Sequence, residues 1–568
     1  MKIKSLNITK HASILLLTTL LTSCGVETST TSDIPPPTAT QAARILTQAT
    51  FGPTVEEITR LQTIGAGAWF NDQFTKPQSK HFDYVNQALS QLPANTNIDD
   101  ATFIQSFWKQ AINADDQLRQ RVTFALSQIF VISFQNDNLV NRPRGIASYY
   151  DMLGSHAFGN FRNLLEGVTK HPMMGIYLSS LRNQGSNGTA REPDENYARE
   201  IMQLFTVGLR MLNLDGSDTT TPTFTPTYTN DDIKGLAKVF TGWSWGGSDK
   251  SANRFNSSIT DTNPAYVDPN RDHISMQLYP DFHESLPKIC PTLGINISAS
   301  VTGDESMKIA LDTLFNHPNV GPFIGRQLIQ RLVTSNPSPG YISRVAAAFE
   351  AIPGVRPRGD MKAVIQAVIT DSEALNPTTD RPDLVPPYTY NADNAGKIRE
   401  PVIRLSNWIR AFHVVSKSGN YLVGRTDTPS TSLGQTPMRS PTVFNFYRPD
   451  YQAPKTEATK INQVSPEMQI TDELSVFGYL NYMNGVIQRT SSTSSDFYAD
   501  YSPELALATT PNLDLLLDRI SLLLLQKNMS SDLRSKIKTS MTATNNLNYR
   551  VYQAVFLTMA SPEYITQK

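Results

Sequence analysis

"QLRQRVTFALSQIFVIS", residues 117–133, decides the fold class. Leu118, Val122, Ala125, Leu126 and Ile129 recur at steps of three and four, which lines them along one side of a helix. The run predicts a helix whose apolar face enters a core. Outward from it the same period recurs. In "TVEEITRLQ", residues 54–62, Thr54 can cap a helix while Glu57 reaches back to it. Further helices are expected at 304–317, 320–333, 338–352, 359–370, 396–415 and 512–525. Alternating apolar runs bounded by turns are scarce. The expectation is a mainly α protein, a large multi-helical globular body with little β and long polar loops near 214–230, 246–270, 416–436 and 487–500.

The first residues stand apart from that body. "MKIKSLNITKHASILLLTTLLTSCG" joins a basic start to a short apolar core, and Ala12 to Leu21 is half the ~20 residues a membrane span needs. Residues 1–23 therefore read as an export signal. Leu21, Thr22, Ser23 and Cys24 resemble the bacterial lipoprotein signal, which implies lipid on Cys24; the other reading is secretion with a coincidental cysteine. Residues 24–40 are polar and proline-bearing, as a tether would be. The Pro-bearing stretch 376–394 divides the rest into a helical part at 41–380 and a second at 381–568 packed on it, unless the two form one continuous domain. With Cys24 lipidated, Cys290 is the one remaining thiol, so no internal disulfide can form.

The formal net charge of −1 over 568 residues argues against a nucleic-acid partner, whose phosphates call for a basic face. No Gly-x-Ser-x-Gly elbow, His-Glu-x-x-His zinc motif, phosphate loop or dinucleotide fingerprint is present. No cofactor is identified, although the oxygen-rich run "DPNRDH" could hold a divalent cation such as calcium. Asp268, Asp272, His273, His283 and Glu284 are the candidate ligands there.

A set of motifs, in order along the chain, carries a resemblance. "AARILTQATFGPTVEEITRLQTIGAGAWFNDQF", "DQLRQRVTFALSQIFVIS", "ENYAREIMQLFTVGL", "LAKVFTGW", "HPNVGPFIGRQLIQRLVTSNPSPGYISRVAAAF", "GKIREPVIRL", "SPTVFNFYRPDY" and "MASPEYITQ" are similar to the bacterial family called domain of unknown function 1800. The resemblance implies an exported protein, often encoded beside a sulfatase-like partner, with no settled activity. With the lipoprotein signal it implies a place in the bacterial cell envelope, lipid-anchored at the outer membrane and facing either the periplasm or the surface. In "FHESLPKICPTLG" the chain departs from the family, with Glu284 where aspartate is usual and extra residues between Lys288 and Gly294.

"REPDENYARE", residues 191–200, is the family's most characteristic segment and opens a helix expected over about 194–209. Tyr197, Ile201, Leu204, Phe205 and Leu209 should pack, while Asn196, Arg199, Glu200 and Gln203 form an opposite polar stripe. Arg-Glu-Pro recurs at 399–401, beside Lys397, Glu400 and Arg404. Two readings follow: the elements converge in one polar cleft, or they are separate helix starts with a shared capping habit. On the first, Glu195, Arg199, Glu200, Arg399 and Glu400 would be catalytic, and Asn196, Gln203, Lys397 and Arg404 would bind the ligand in a hydrolase acting on an envelope or extracellular polymer. The competing function is a binding or assembly module for polysaccharide or a sulfatase-like partner, presenting Trp243, Trp245, Phe446, Tyr447 and Tyr451 for stacking.

Overall fold

A computed structural model describes residues 36–93, 98–264, 267–268, 270–377 and 395–568. The signal segment, Cys24 and most of the 376–394 stretch lie outside the described residues. Helices dominate, and strands occur only as four antiparallel two-stranded ladders among the described residues. Residues Pro36–Lys568 form one compact unit around a continuous apolar core that runs from Ala42 to Tyr564 and encloses Trp69, Trp108, Trp245 and Trp408. No described helix is long and apolar enough to cross a membrane.

The fold-deciding run forms the helix Gln117–Ser127, with all but one of its residues buried. It ends earlier than periodicity suggests. Gln128 closes the last turn onto Ala125 O and Leu126 O, and the chain then leaves to pair Phe134 N with Met438 O at 2.8 Å. Thr54 accepts from Glu57 N as expected and starts the helix Val55–Thr75. Other expected helices appear at Gly303–Asn316, Val320–Leu332, Pro339–Phe349 and Met361–Thr370. The 512–525 run divides into an α-helix, Leu513–Ile520, and a π-helical turn, Ser521–Leu525.

Two further boundaries differ from the sequence reading at site residues. The helix in "REPDENYARE" is Asn196–Gln203, shorter than expected. Asp194 Oδ1 accepts from Asn196 N and sets its start, while Pro193 lies outside it; at the far end Val207 and Gly208 bond back to Met202 O, leaving Leu209 exposed. In "GKIREPVIRL" the helix is Pro401–Ala411, so Lys397 is not helical. Lys397–Ile398 instead pair with Thr566–Gln567. The helix Pro401–Ala411 is buried along its whole length, with Ser406 and Arg410 donating to Phe51 O and Gly52 O. A Cβ on Gly52 would stand 2.7 Å from Asn407 Cα, so glycine is required for that approach.

Candidate functional site

The two Arg-Glu-Pro elements build two ionic centres. The outer centre is built on Asn196–Gln203. Arg199 Nη2 lies 3.2 Å from Glu195 Oε2, and both side chains are about a third or more exposed, which makes this a local helical pair worth ~0.3–0.5 kcal/mol. Asn196 is exposed, and Gln203 Oε1 accepts from Tyr228 OH at a long 3.4 Å. Glu200 differs from its neighbours. It is 8% exposed, and its Oε2 is buried without a hydrogen-bond partner. Burial raises its pKa, opposed only by Arg199. Tyr177 and Tyr228, both half-buried, sense its charge; burial with that charge pushes Tyr177 up to about 12.

The inner centre is built on Lys397–Arg404. Lys397 Nζ stands 3.0 Å from Glu467 Oε1 and 3.8 Å from Glu400 Oε1, and donates to Arg331 O at 2.9 Å. Glu400 Oε2 accepts from Gln128 Nε2 at 2.5 Å and Gln435 Nε2 at 2.9 Å. Burial opposes ionisation of both acids, yet they part company. Lys397 and Arg121, with the Gln435 amide, hold Glu400 below its usual range, whereas burial and the neighbouring Glu400 charge raise Glu467 above it. Arg399 donates to Leu524 O, Tyr564 O and Gln526 Oε1, and its guanidinium lies 4.4 Å from the Tyr564 ring. Arg404 bonds Arg399 O and stacks 4.8 Å from Tyr479. Beside this core a recess is lined by Phe124, Gln128, Gln435, Met438, Asn445 and Phe446 among others, with room for about one water centre, ≈ 10 Å³.

The two centres do not share a network. Among the described residues no hydrogen bond or ion pair joins 191–204 to 397–404, because each element finds its partners elsewhere: Glu195 for Arg199, Glu467 and Gln128 for the inner pair. Of the single-cleft set, the structure brings together Glu195, Arg199, Glu200 and Gln203 on one side, and Lys397, Arg399, Glu400 and Arg404 on the other.

Other expectations are corrected. Trp243 is 2% exposed with Lys170 Nζ 5.2 Å from its ring, and Trp245 is packed under Arg271, so neither face is open to a sugar. The calcium set is dispersed. Asp272 is paired with Arg142 at 2.5 Å, Asp268 accepts from Asn270 N, and His273 packs on Phe82. Glu284 accepts from Ser186 N, Ser186 Oγ and Leu286 N, while His283 Nδ1 meets Thr241 O. No group of three or more His, Cys, Asp or Glu among the described residues is placed to hold a metal ion. The "FHES" turn is a packing clip: a Cβ on Gly185 would be 2.6 Å from Glu284 Cα, and one on Gly242, at φ +79°, 2.8 Å from His283 N.

Sequence reasoning missed Tyr177 and Tyr228 at the outer centre, and Arg121, Gln128, Arg331, Gln435 and Glu467 at the inner one. Tyr447 was singled out only as a stacking residue, but it is buried against the inner centre. A glutamine on the apolar side of a helix, as Gln128 nearly is, was the one visible signal.

A family model described as "Protein of unknown function (DUF1800)" matches residues 44–566. No curated protein and no solved structure matches the chain significantly.

Proposed function

We propose that this chain, which belongs to the DUF1800 family, is a lipid-anchored bacterial envelope protein with hydrolase-type activity on an envelope or extracellular polymer, centred on Glu200. The observation that carries the reading is the state of that carboxyl: nearly buried, one oxygen unpaired, its pKa raised, with its charge felt by two half-buried tyrosines and opposed by the partly exposed Arg199. A carboxyl kept protonated beyond its usual range can donate to a leaving-group oxygen as the scissile bond breaks. Arg199, fixed by Glu195, is positioned to hold an anionic or carbonyl group, and Tyr177 and Tyr228 offer flat faces to a chain. The inner centre fits this role less well, since its carboxylates are enclosed and its recess admits about one water.

The test uses full-length protein in detergent, offered polysaccharide and peptide polymers, with products read by mass spectrometry. Glu200→Gln should lower kcat by about 10²–10⁴ while staying folded and no less stable than the parent, and Arg199→Gln should chiefly raise KM. Equal turnover in Glu200→Gln, or none in the parent, removes the reading. The lipid anchor at Cys24 is checked separately by incorporation of labelled palmitate in the native host, which Cys24→Ala should abolish. A binding or assembly role for polysaccharide or a sulfatase-like partner draws support from Leu474, Val476 and Phe477, exposed on the helix Glu473–Ile487.

A further inference from the structure

The geometry points to an intramolecular amide bond between the Lys397 amine and the Glu467 carboxyl, formed in the folded protein with Glu400 as the proton carrier. The inference does not rest on the Glu200 reading.

Three reactive side chains meet away from water. Those of Lys397, Glu400 and Glu467 are each 3% exposed or less, whereas among the described residues every other lysine in an ion pair is at least 27% exposed. Lys397 Nζ lies 3.0 Å from Glu467 Oε1 and is steered by Arg331 O, to which it donates at 2.9 Å. The carboxyl carbon is one bond beyond Oε1, so a small rotation of either side chain brings the nitrogen to it. The backbones that carry the three are each fixed: Lys397 in the ladder with Gln567, Glu400 at the N-cap of Pro401–Ala411, and Glu467 in the 3-10 turn Pro466–Ile470. Groups held in this way react as if at about 10⁵–10⁸ M when their geometry is right.

The two acids are suited to different parts. Burial and the Glu400 charge raise Glu467 above its usual range, which favours the protonated carboxyl, the form an amine can acylate itself on; its Oε2 is buried with no hydrogen-bond partner and is free to leave. Glu400 is held below its usual range, so it is a poor electrophile and an available base, and its Oε1, 3.8 Å from Lys397 Nζ, also has no hydrogen-bond partner.

The step balances without an oxidant, a reductant or a cofactor. The Lys397 ammonium gives one proton to Glu400, and the lone pair it uncovers forms the bond to Glu467 Cδ. Glu400 then passes its proton to Oε2 and takes another from the nitrogen, the Cδ–Oε2 bond breaks, and one water leaves. The products are a secondary amide, that water and a protonated Glu400. Beside Glu400 the recess lined by Gln128 and Gln435, both of which donate to its carboxylate, has room for about one water centre, ≈ 10 Å³. The ion pair is the reactant, and its own cost helps drive the reaction: the amide replaces two buried opposite charges with a neutral group, which removes their desolvation penalty. The product would close a covalent loop over residues 397–467 and lock the buried helix Pro401–Ala411 inside it.

Peptide mapping reads the bond directly. Full-length protein is purified in detergent, kept at neutral pH for several days and digested with trypsin. A branched peptide should appear that joins the segments around Lys397 and Glu467 and weighs one water less than their sum, while the two linear peptides are depleted. Glu400→Gln keeps the side-chain shape and should slow accumulation of the branched peptide at least about tenfold. Lys397→Met should abolish it, and protein unfolded in urea before the bond has formed should not gain it. If Glu400→Gln fails to fold, the map of the parent decides. Linear peptides alone in the parent overturn the proposal, and so does a bond that forms equally fast in folded Glu400→Gln or in urea.

Discussion

Replacing Lys397 by Met tests the inner centre most directly. Among the described residues, Lys397 is the only cation in ion-pair contact with both acids, at 3.0 Å from Glu467 and 3.8 Å from Glu400. With an effective dielectric of about 20, charges at those distances attract by roughly 5 and 4 kcal/mol before desolvation, while burying the ammonium costs several kcal/mol in return. Removing one member of such a group leaves its partners uncompensated, so the net loss should be about 3–5 kcal/mol. The loss should also depend on pH. Glu467 already has a raised pKa, so its contribution is fully present below the unfolded value of 4.5 and is lost as pH rises through the folded one. Without Lys397 that folded value moves higher still, and the variant should weaken further between pH 5 and pH 8 relative to the parent. Urea titrations at both pH values, followed by tryptophan fluorescence, give the comparison; Trp408 is buried one turn beyond Arg404 and reports locally. The double variant Lys397→Met, Glu467→Gln should recover part of the loss. A cost below about 1 kcal/mol at pH 8, or one independent of pH, would refute the claim that these charges are coupled in a water-poor interior.

Glu200→Gln should flatten the fall in stability that the parent shows as pH rises above 4.5, because a raised carboxyl pKa favours the fold below that value and loses the advantage once ionised; melting against pH measures it. Trp243→Ala should cost about 3–5 kcal/mol in a urea titration, as for any large buried ring, whereas a sugar-stacking surface residue would cost under 1. Gly235→Ala should destabilise by about 1–3 kcal/mol, read as a lower melting point, since the new Cβ would sit 1.9 Å from Ile289 O where the helix Asn230–Val239 meets the strand Lys288–Cys290. Cys290 is fully buried with its thiol pushed up to about 12, so peptide mapping after iodoacetamide treatment at pH 8 should find it unmodified in the native protein and modified in urea.

Periodicity made the helices legible. The runs at 304–317, 320–333 and 359–370 were each found within two or three residues, because an amphipathic face and a capping Thr302 or Asp360 are local facts. The hairpin Lys288–Cys290 with Ile295–Ile297 was not anticipated, being three residues a side. For the site, the polar stripe on Asn196–Gln203 divides in the structure: Glu200 is buried with Tyr197 and Ile201 while Arg199 stays partly exposed, and the Glu200 charge is felt by Tyr177 and Tyr228, which lie outside the helix. Glu467 was invisible for a similar reason. It lies in a 3-10 turn at Pro466–Ile470 whose sequence looks like an ordinary polar loop, and its importance comes from Lys397, seventy residues earlier.

The repeated Arg-Glu-Pro shows how the same tripeptide acquires opposite physics. At 191–193 both charged residues are exposed, and the chain is fastened by Asn183, which bonds the Asp194 backbone in both directions, before a short helix begins. At 399–401 a strand precedes the helix. Lys397–Ile398 pair with the C-terminal Thr566–Gln567, and Arg399 N bonds Ile565 O at 2.7 Å, so the backbone enters the interior before the charges are placed. Glu400 then sits at the N-cap without capping its own helix, and its carboxylate is left to Gln128, Gln435 and Lys397. In both elements the local code specifies a helix start. Burial is decided by whether a distant segment takes up the backbone bonds, and it makes the ion pairing at the second element, Lys397 with Glu467 and Glu400, a matter of several kcal/mol where the exposed Glu195–Arg199 pair is worth a few tenths.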